Sequence, residues 1–110
     1  STGAAAALQA AAESVSKVGA VVSRGGRPDL AGAQALGQVR CPVLLIVGGH
    51  DEVVIELNQQ AHARLVCPKE LVIVPGATHL FDEPGTLEQV ATLAADWFVR
   101  HLGKAISGNP

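Results

Sequence analysis

Val43-Leu44-Leu45-Ile46-Val47-Gly48-Gly49-His50-Asp51 runs through five aliphatic residues without a break, stops on a glycine pair, and then presents an imidazole and a carboxylate. A strand with one wet face alternates apolar and polar residues. An unbroken aliphatic run bounded by glycine instead marks a strand covered on both faces, as in a parallel sheet between two layers of helices. Downstream, Glu52 to Val66 has apolar residues at 54, 55, 57, 61 and 65, close to the period of an amphipathic helix. Leu71 to Val74 is a second aliphatic run, closed by Pro75-Gly76. Pro84 suits a first helical turn, and Leu87, Val90, Ala91, Leu93, Ala94, Trp97, Phe98 and Leu102 mark a long closing helix. Gly103 to Pro110 is expected to be a flexible tail.

Upstream, the alanine-rich stretch Gly3 to Ser16 predicts a helix. Val18 to Val22 predicts a buried strand feeding the loop Ser23-Arg24-Gly25-Gly26. Pro28 to Gln38 reads as one or two short helical turns, with Asp29 as a cap and Gly37 as a stop. Strands alternating with helices imply an α/β fold, three layers (αβα) around a mainly parallel sheet with right-handed crossovers. Three strands leave one sheet edge open, so a covering partner is expected, either a preceding segment of the same domain or a second copy of the chain.

Composition narrows the function classes. The chain has 110 residues, 48% hydrophobic and 16% charged, which fits one folded domain. Eight Lys and Arg stand against ten Asp and Glu, and a net charge of -2 offers no basic surface for nucleic acid. The apolar runs are too short to span a bilayer. With 3% aromatic residues and no Met or Tyr, the core must be built from Ala, Val, Leu and Ile. The start, Ser1-Thr2-Gly3, has neither a charged region nor an initiating Met, so no signal peptide is expected and the chain reads as part of something longer. Cys41 and Cys67 each precede a proline and open an apolar run. Free thiols in the cytoplasm are the simplest reading, although neighbouring parallel strands would bring the pair together and allow a bridge.

In parallel sheets the reactive groups collect in loops at the carboxyl ends of the strands. Asp51 follows one strand, His79 in Gly76-Ala77-Thr78-His79 follows the next, and Ser1 stands before the first helix. A serine hydroxyl becomes a nucleophile when an imidazole takes its proton, and a carboxylate holds that imidazole in the right tautomer. A developing oxyanion would meet the Thr2 backbone N-H at the helix start. Alternatives remain open on each residue: Asp51 as a helix cap, His79 as a loop histidine bonded to backbone, Ser1 as a cap. Arg24 and Arg27 would meet a substrate carboxylate or lie on a solvated loop. His50, Asp51 and His79 lack the spacing of a metal site, and the paired glycines form no nucleotide loop, so neither metal nor cofactor is expected.

Ser1-Thr2-Gly3-Ala4-Ala5-Ala6-Ala7-Leu8 resembles the second half of the Gly-x-Ser-x-Gly nucleophile elbow of an α/β-hydrolase, starting at its serine. Val47 to Val54 resembles that family's acid loop and Pro75 to Phe81 its histidine loop. Taken with Ser23-Arg24-Gly25-Gly26-Arg27-Pro28-Asp29-Leu30-Ala31-Gly32, the sequence is most similar to dienelactone-hydrolase-like proteins, including hydrolase domains joined to phosphoribosyltransferases. The resemblance extends to about Leu102 and implies that residues 1–102 are the carboxyl-terminal half of the domain. It implies Ser1 as nucleophile, Asp51 as orienting acid, His79 as general base and acid, and Thr2 as oxyanion donor. The elbow's first residues and the loop supplying the second oxyanion donor are not in this sequence, and dienelactone hydrolases proper use cysteine where this chain has serine. The expected activity is cleavage of a small ester or lactone through an acyl-enzyme. A non-catalytic hydrolase-like scaffold, and a flavodoxin-like module binding phosphate at Gly48-Gly49, are the competing readings.

Overall fold

The computed structural model describes residues 2–13 and 18–107. Helix α1 (Thr2–Glu13) leads to strand β1 (Val21–Arg24), a single 3-10 turn (Pro28–Ala31), helix α2 (Ala33–Gln38), strand β2 (Val43–Gly48), helix α3 (Glu52–Arg64), strand β3 (Lys69–Val74) and helix α4 (Thr86–Ser107). The sheet has the order β1-β2-β3, and both pairings are parallel. This is the three-layer α/β arrangement expected from the aliphatic runs.

β2 is buried at every position because its side chains alternate between two cores. Val43 and Leu45 point into one core with Leu8, Leu36, Val39, Ala61 and Leu65, beneath α1, α2 and α3. Leu44 and Ile46 point into the other with Val74, Phe81, Val90 and Trp97, beneath α4. Each fully buried aliphatic side chain contributes about 1.5–3 kcal/mol relative to exposure. Both faces must be covered for β2 to be stable, and both are.

Element boundaries differ from expectation where tertiary contacts outweigh local composition. β1 begins at Val21 and includes Ser23 and Arg24, because its ladder is set by β2: Val21 N-H donates to Pro42 O at 2.9 Å and Gly25 N-H to Ile46 O at 2.7 Å. Gly19 lies ahead of the strand, where a Cβ would meet the tip of the Leu102 side chain. Pro84 sits in the turn before α4, since Gly85 takes φ 82°, outside the helical region. Thr86 then opens the helix, its hydroxyl donating to Phe81 O at 2.9 Å and Glu83 O at 2.8 Å. α4 continues to Ser107, past the end expected at Leu102. Gly37 lies within α2 rather than ending it, and Asp29 lies inside the 3-10 turn rather than capping it. The expected helix end at Ser16 falls outside the described residues. No helix among the described residues is long and apolar enough to cross a membrane.

Leu45, with no exposed surface, tests the double core. Leu45→Ala should lower the unfolding free energy by about 2–5 kcal/mol in urea titrations. Val53→Ala, at a position 70% exposed, should change it by no more than about 0.5 kcal/mol.

Candidate active site

Loops following all three strands meet at the carboxyl edge of the sheet. At the end of β2 the backbone turns sharply: Gly49 N-H donates to Val74 O at 2.8 Å, His50 N-H to Ala77 O at 3.0 Å and Asp51 N-H to Gly48 O at 3.0 Å. The loop after β3 crosses directly over Gly48, where a Cβ would lie 2.5 Å from Ala77 O and 2.7 Å from Thr78 O. Only glycine fits beneath that crossing. It brings the acid and histidine loops together.

Asp51 stands at the N-cap position of α3, yet its side chain makes no capping hydrogen bond. Instead His79 Nδ1-H donates to Asp51 Oδ2 at 2.8 Å. The Asp51 side chain is 18% exposed and that of His79 48%. This bond selects the Nδ1-H tautomer of the neutral ring and leaves Nε2 free to accept a proton.

The histidine loop is held from both sides. Thr78 N-H donates to Glu83 Oε1 at 3.1 Å and Thr78 Oγ1 to Glu83 Oε2 at 2.7 Å. These bonds from Thr78 hold the Glu83 carboxyl below its ordinary range. Phe81, fully buried, takes φ 55°, a strained value for a bulky residue, and its carbonyl is held by Thr86. The Arg24 guanidinium lies 5.6 Å from the centre of the Phe81 ring, a cation-π contact that ties the end of β1 to the same loop.

Two consecutive glycines join the remaining parts. Gly25, at φ 59°, passes close enough to His79 that a Cβ would lie 3.5 Å from Nδ1. Gly26 abuts the start of α1, where a Cβ would lie 2.6 Å from the Ala4 Cβ. The amino end of α1 and the imidazole therefore flank the same dipeptide. Thr2 is the first residue of α1, so its backbone N-H is among the helix donors without an intrahelical acceptor. Ser1 lies outside the described residues. A cavity of about 240 Å³ opens between the first turns of α1 (Gly3, Ala4, Ala7) and the end of β1 (Val22, Ser23, Arg24).

Arg24 is exposed beside this cavity. Arg27 is engaged in a fork with Asp29, Nε to Oδ1 at 3.0 Å and Nη2 to Oδ2 at 2.9 Å, which holds the Asp29 carboxyl below its ordinary range. Two supporting residues carry little signal in the sequence. Asn58 is fully buried and donates from Nδ2 to Gly26 O at 3.1 Å and Val54 O at 2.8 Å, fixing the glycine loop. A polar residue on the same helical face as Val54, Ala61 and Leu65 was the available signal. Glu83 had none, because loop bonds carry no periodicity.

A three-stranded parallel sheet between layers of helices, with the loops after β2 and β3 joined at its carboxyl edge, is a three-layer α/β fold. Comparison with known proteins makes this specific. The crystal structure of dienelactone hydrolase from Anabaena variabilis ATCC 29413 matches with a TM-score of 0.89 and 57% identity, over 92% of this chain and 46% of that one. The fold is thus dienelactone-hydrolase-like. Two curated proteins of Mycobacterium tuberculosis, from strains CDC 1551 / Oshkosh and H37Rv and provisionally named phosphoribosyl transferases, are each 67% identical over 102 residues. That stretch is 93% of this chain and 23% of theirs, so the chain spans about a quarter of the length of these curated relatives. No family model matches.

The Glu83 carboxylate gives the site a pH signature. Its lowered pKa means that its contribution to stability is complete above the unfolded-state value and is lost as the pH falls through the folded-state value. Wild type should be more stable than Glu83→Gln at neutral pH, and the gap should close on acidification to about pH 2. Urea midpoints of both proteins across that range check this; a gap unchanged in acid would refute it.

Proposed function

We propose that this chain supplies the carboxyl-terminal half, residues 1–102, of a serine hydrolase domain that cleaves a small ester or lactone. The observation that carries the reading is the 2.8 Å bond between His79 Nδ1 and Asp51 Oδ2, which orients the ring at the expense of a helix cap. In this mechanism His79 Nε2 takes the proton of the Ser1 hydroxyl as its oxygen attacks the acyl carbonyl. Asp51 stabilises the imidazolium that forms. The Thr2 N-H and the amino end of α1 hold the oxyanion. His79 then protonates the departing alcohol, or the ring-opened end of a lactone, and a water activated by the same ring releases the acid. Arg24, exposed beside the cavity, suits a substrate that carries its own carboxylate, and Arg27 braces that loop through Asp29.

The partner in this reading is the rest of the hydrolase domain, contributing a parallel strand to the edge of β1 and the second oxyanion donor. The relatives' transferase name fits the same scheme. The stretch they share with this chain is hydrolase-like, so a phosphoribosyl transfer activity would belong to the part of their length outside the hydrolase domain.

A fluorophosphonate probe tests the reading on the intact protein. Labelling should occur at Ser1 and disappear in Ser1→Ala and His79→Ala. Asp51→Asn should reduce ester turnover by roughly 10³–10⁴-fold. An intact, folded protein whose Ser1 stays unlabelled would instead favour a non-catalytic hydrolase-like scaffold.

A further inference from the structure

The two cysteines lie at the amino ends of the strands, the pole of the sheet opposite Asp51 and His79. Cys41 and Cys67 each stand two residues before a strand, β2 at Val43 and β3 at Lys69. The ladder between those strands keeps one offset throughout: Val43 opposite Lys69, Leu45 opposite Leu71, Val47 opposite Ile73. Its first bond, Val43 N-H to Pro68 O at 2.9 Å, shows the chains already side by side at the prolines. Cys41 and Cys67 stand the same two residues ahead of the Val43–Lys69 pair, at bends in the backbone, next to the face of Val43 and Leu71. Both side chains do pack into that face's core, beneath α1 to α3. Where the ladder begins the two strands lie about 4.8 Å apart, and a disulfide spans roughly 4.4–6.8 Å between Cα atoms. The thiols are near enough that charge on Cys41 raises the pKa of Cys67. Both are free.

We propose that Cys41 and Cys67 form a modification site, a dithiol that a low-molecular-weight disulfide converts into an intramolecular cross-link. Exposure assigns the order of events: Cys67 is half-buried and meets the reagent, whereas Cys41 is buried and resolves. The Cys67 thiolate attacks one sulfur of the small disulfide, whose S–S bond breaks, and the first small thiolate leaves. The Cys41 thiolate then attacks the Cys67 sulfur and expels the second. Two protein thiols are oxidised and one small disulfide is reduced to two thiols, which carry away both protons. Burial pushes both cysteine thiols up, so the pair acts as a slowly equilibrating clasp rather than a fast sensor. The clasp would fasten β2 to β3, the strands that present Asp51 and His79, without touching either residue. It stands independently of the proposed hydrolase activity.

The intact protein is equilibrated with glutathione disulfide, alkylated, and digested with trypsin without reduction. Cleavage after Arg40, Arg64 and Lys69 should release residues 41–64 joined to residues 65–69, and dithiothreitol should separate them. The oxidised protein should melt several degrees above the reduced one, because the link restricts the unfolded chain. Cys67→Ala should show no such difference. Glutathione retained on either cysteine without the cross-link, both cysteines recovered alkylated, or an equal melting shift in Cys67→Ala would each overturn the proposal.

Discussion

A missing side chain at Gly48 governs the carboxyl edge of the sheet. β2 is the central strand and must end where the two neighbouring loops can close over it, and the carbonyls of Ala77 and Thr78 fill the space a Cβ would need. Because those carbonyls are there, Ala77 O can accept from the His50 N-H and the acid loop is stitched to the histidine loop by backbone alone. Backbone bonds of this kind are insensitive to side-chain rotamers, so the separation of Asp51 and His79 is set before either side chain is considered. The 2.8 Å contact between them follows from that crossing.

The sheet thereby acquires two chemically distinct poles. At the carboxyl pole, three loops bring an imidazole, a carboxylate and the exposed Arg24 around the glycine dipeptide at 25 and 26. At the amino pole, two proline-flanked thiols sit against an apolar core. Parallel pairing is what makes this separation possible, since it sends every strand's carboxyl end to the same side. Rigidity is shared between the poles through β2, whose two faces belong to different cores. Side chains around Leu45 support α1 and α3, while those around Ile46 support Phe81 and α4.

What was legible in the amino-acid order depended on whether a residue's role came from burial or from a neighbour. β2 is plain because full burial on both faces leaves an uninterrupted aliphatic run, and Asp51 and His79 stand out by their places just after strands. Composition alone runs β1 from Val18 to Val22, because Ser23 and Arg24 look like loop residues. Their extended conformation comes from the bonds β2 offers, which their own side chains do not advertise. Pro84 signalled a helix start, but Gly85 with its positive φ pushed that start to Thr86. Asn58 and Glu83 brace the site through bonds to Gly26 and Thr78 that link residues without any repeating spacing. Such contacts are visible only once the chain is folded.

Asp51 shows how the site departs from what local stability alone would select. An aspartate at an N-cap position ordinarily accepts from the first helical N-H groups, an interaction worth about 0.5–2 kcal/mol. Here φ and ψ of -101° and 66° carry the carboxylate away from those donors and towards His79. A pairing with a half-exposed imidazole returns about 0–1 kcal/mol at most, so stability does not explain the choice. What the pairing supplies is direction: one ring nitrogen is occupied, the tautomer is selected, and the other nitrogen is left basic. α3 keeps part of what it lost, because the negative charge of Asp51 and the adjacent Glu52 still lies near the positive end of the helix dipole. The helix can therefore tolerate an unmade cap, whereas a freely rotating imidazole would have no defined acceptor nitrogen.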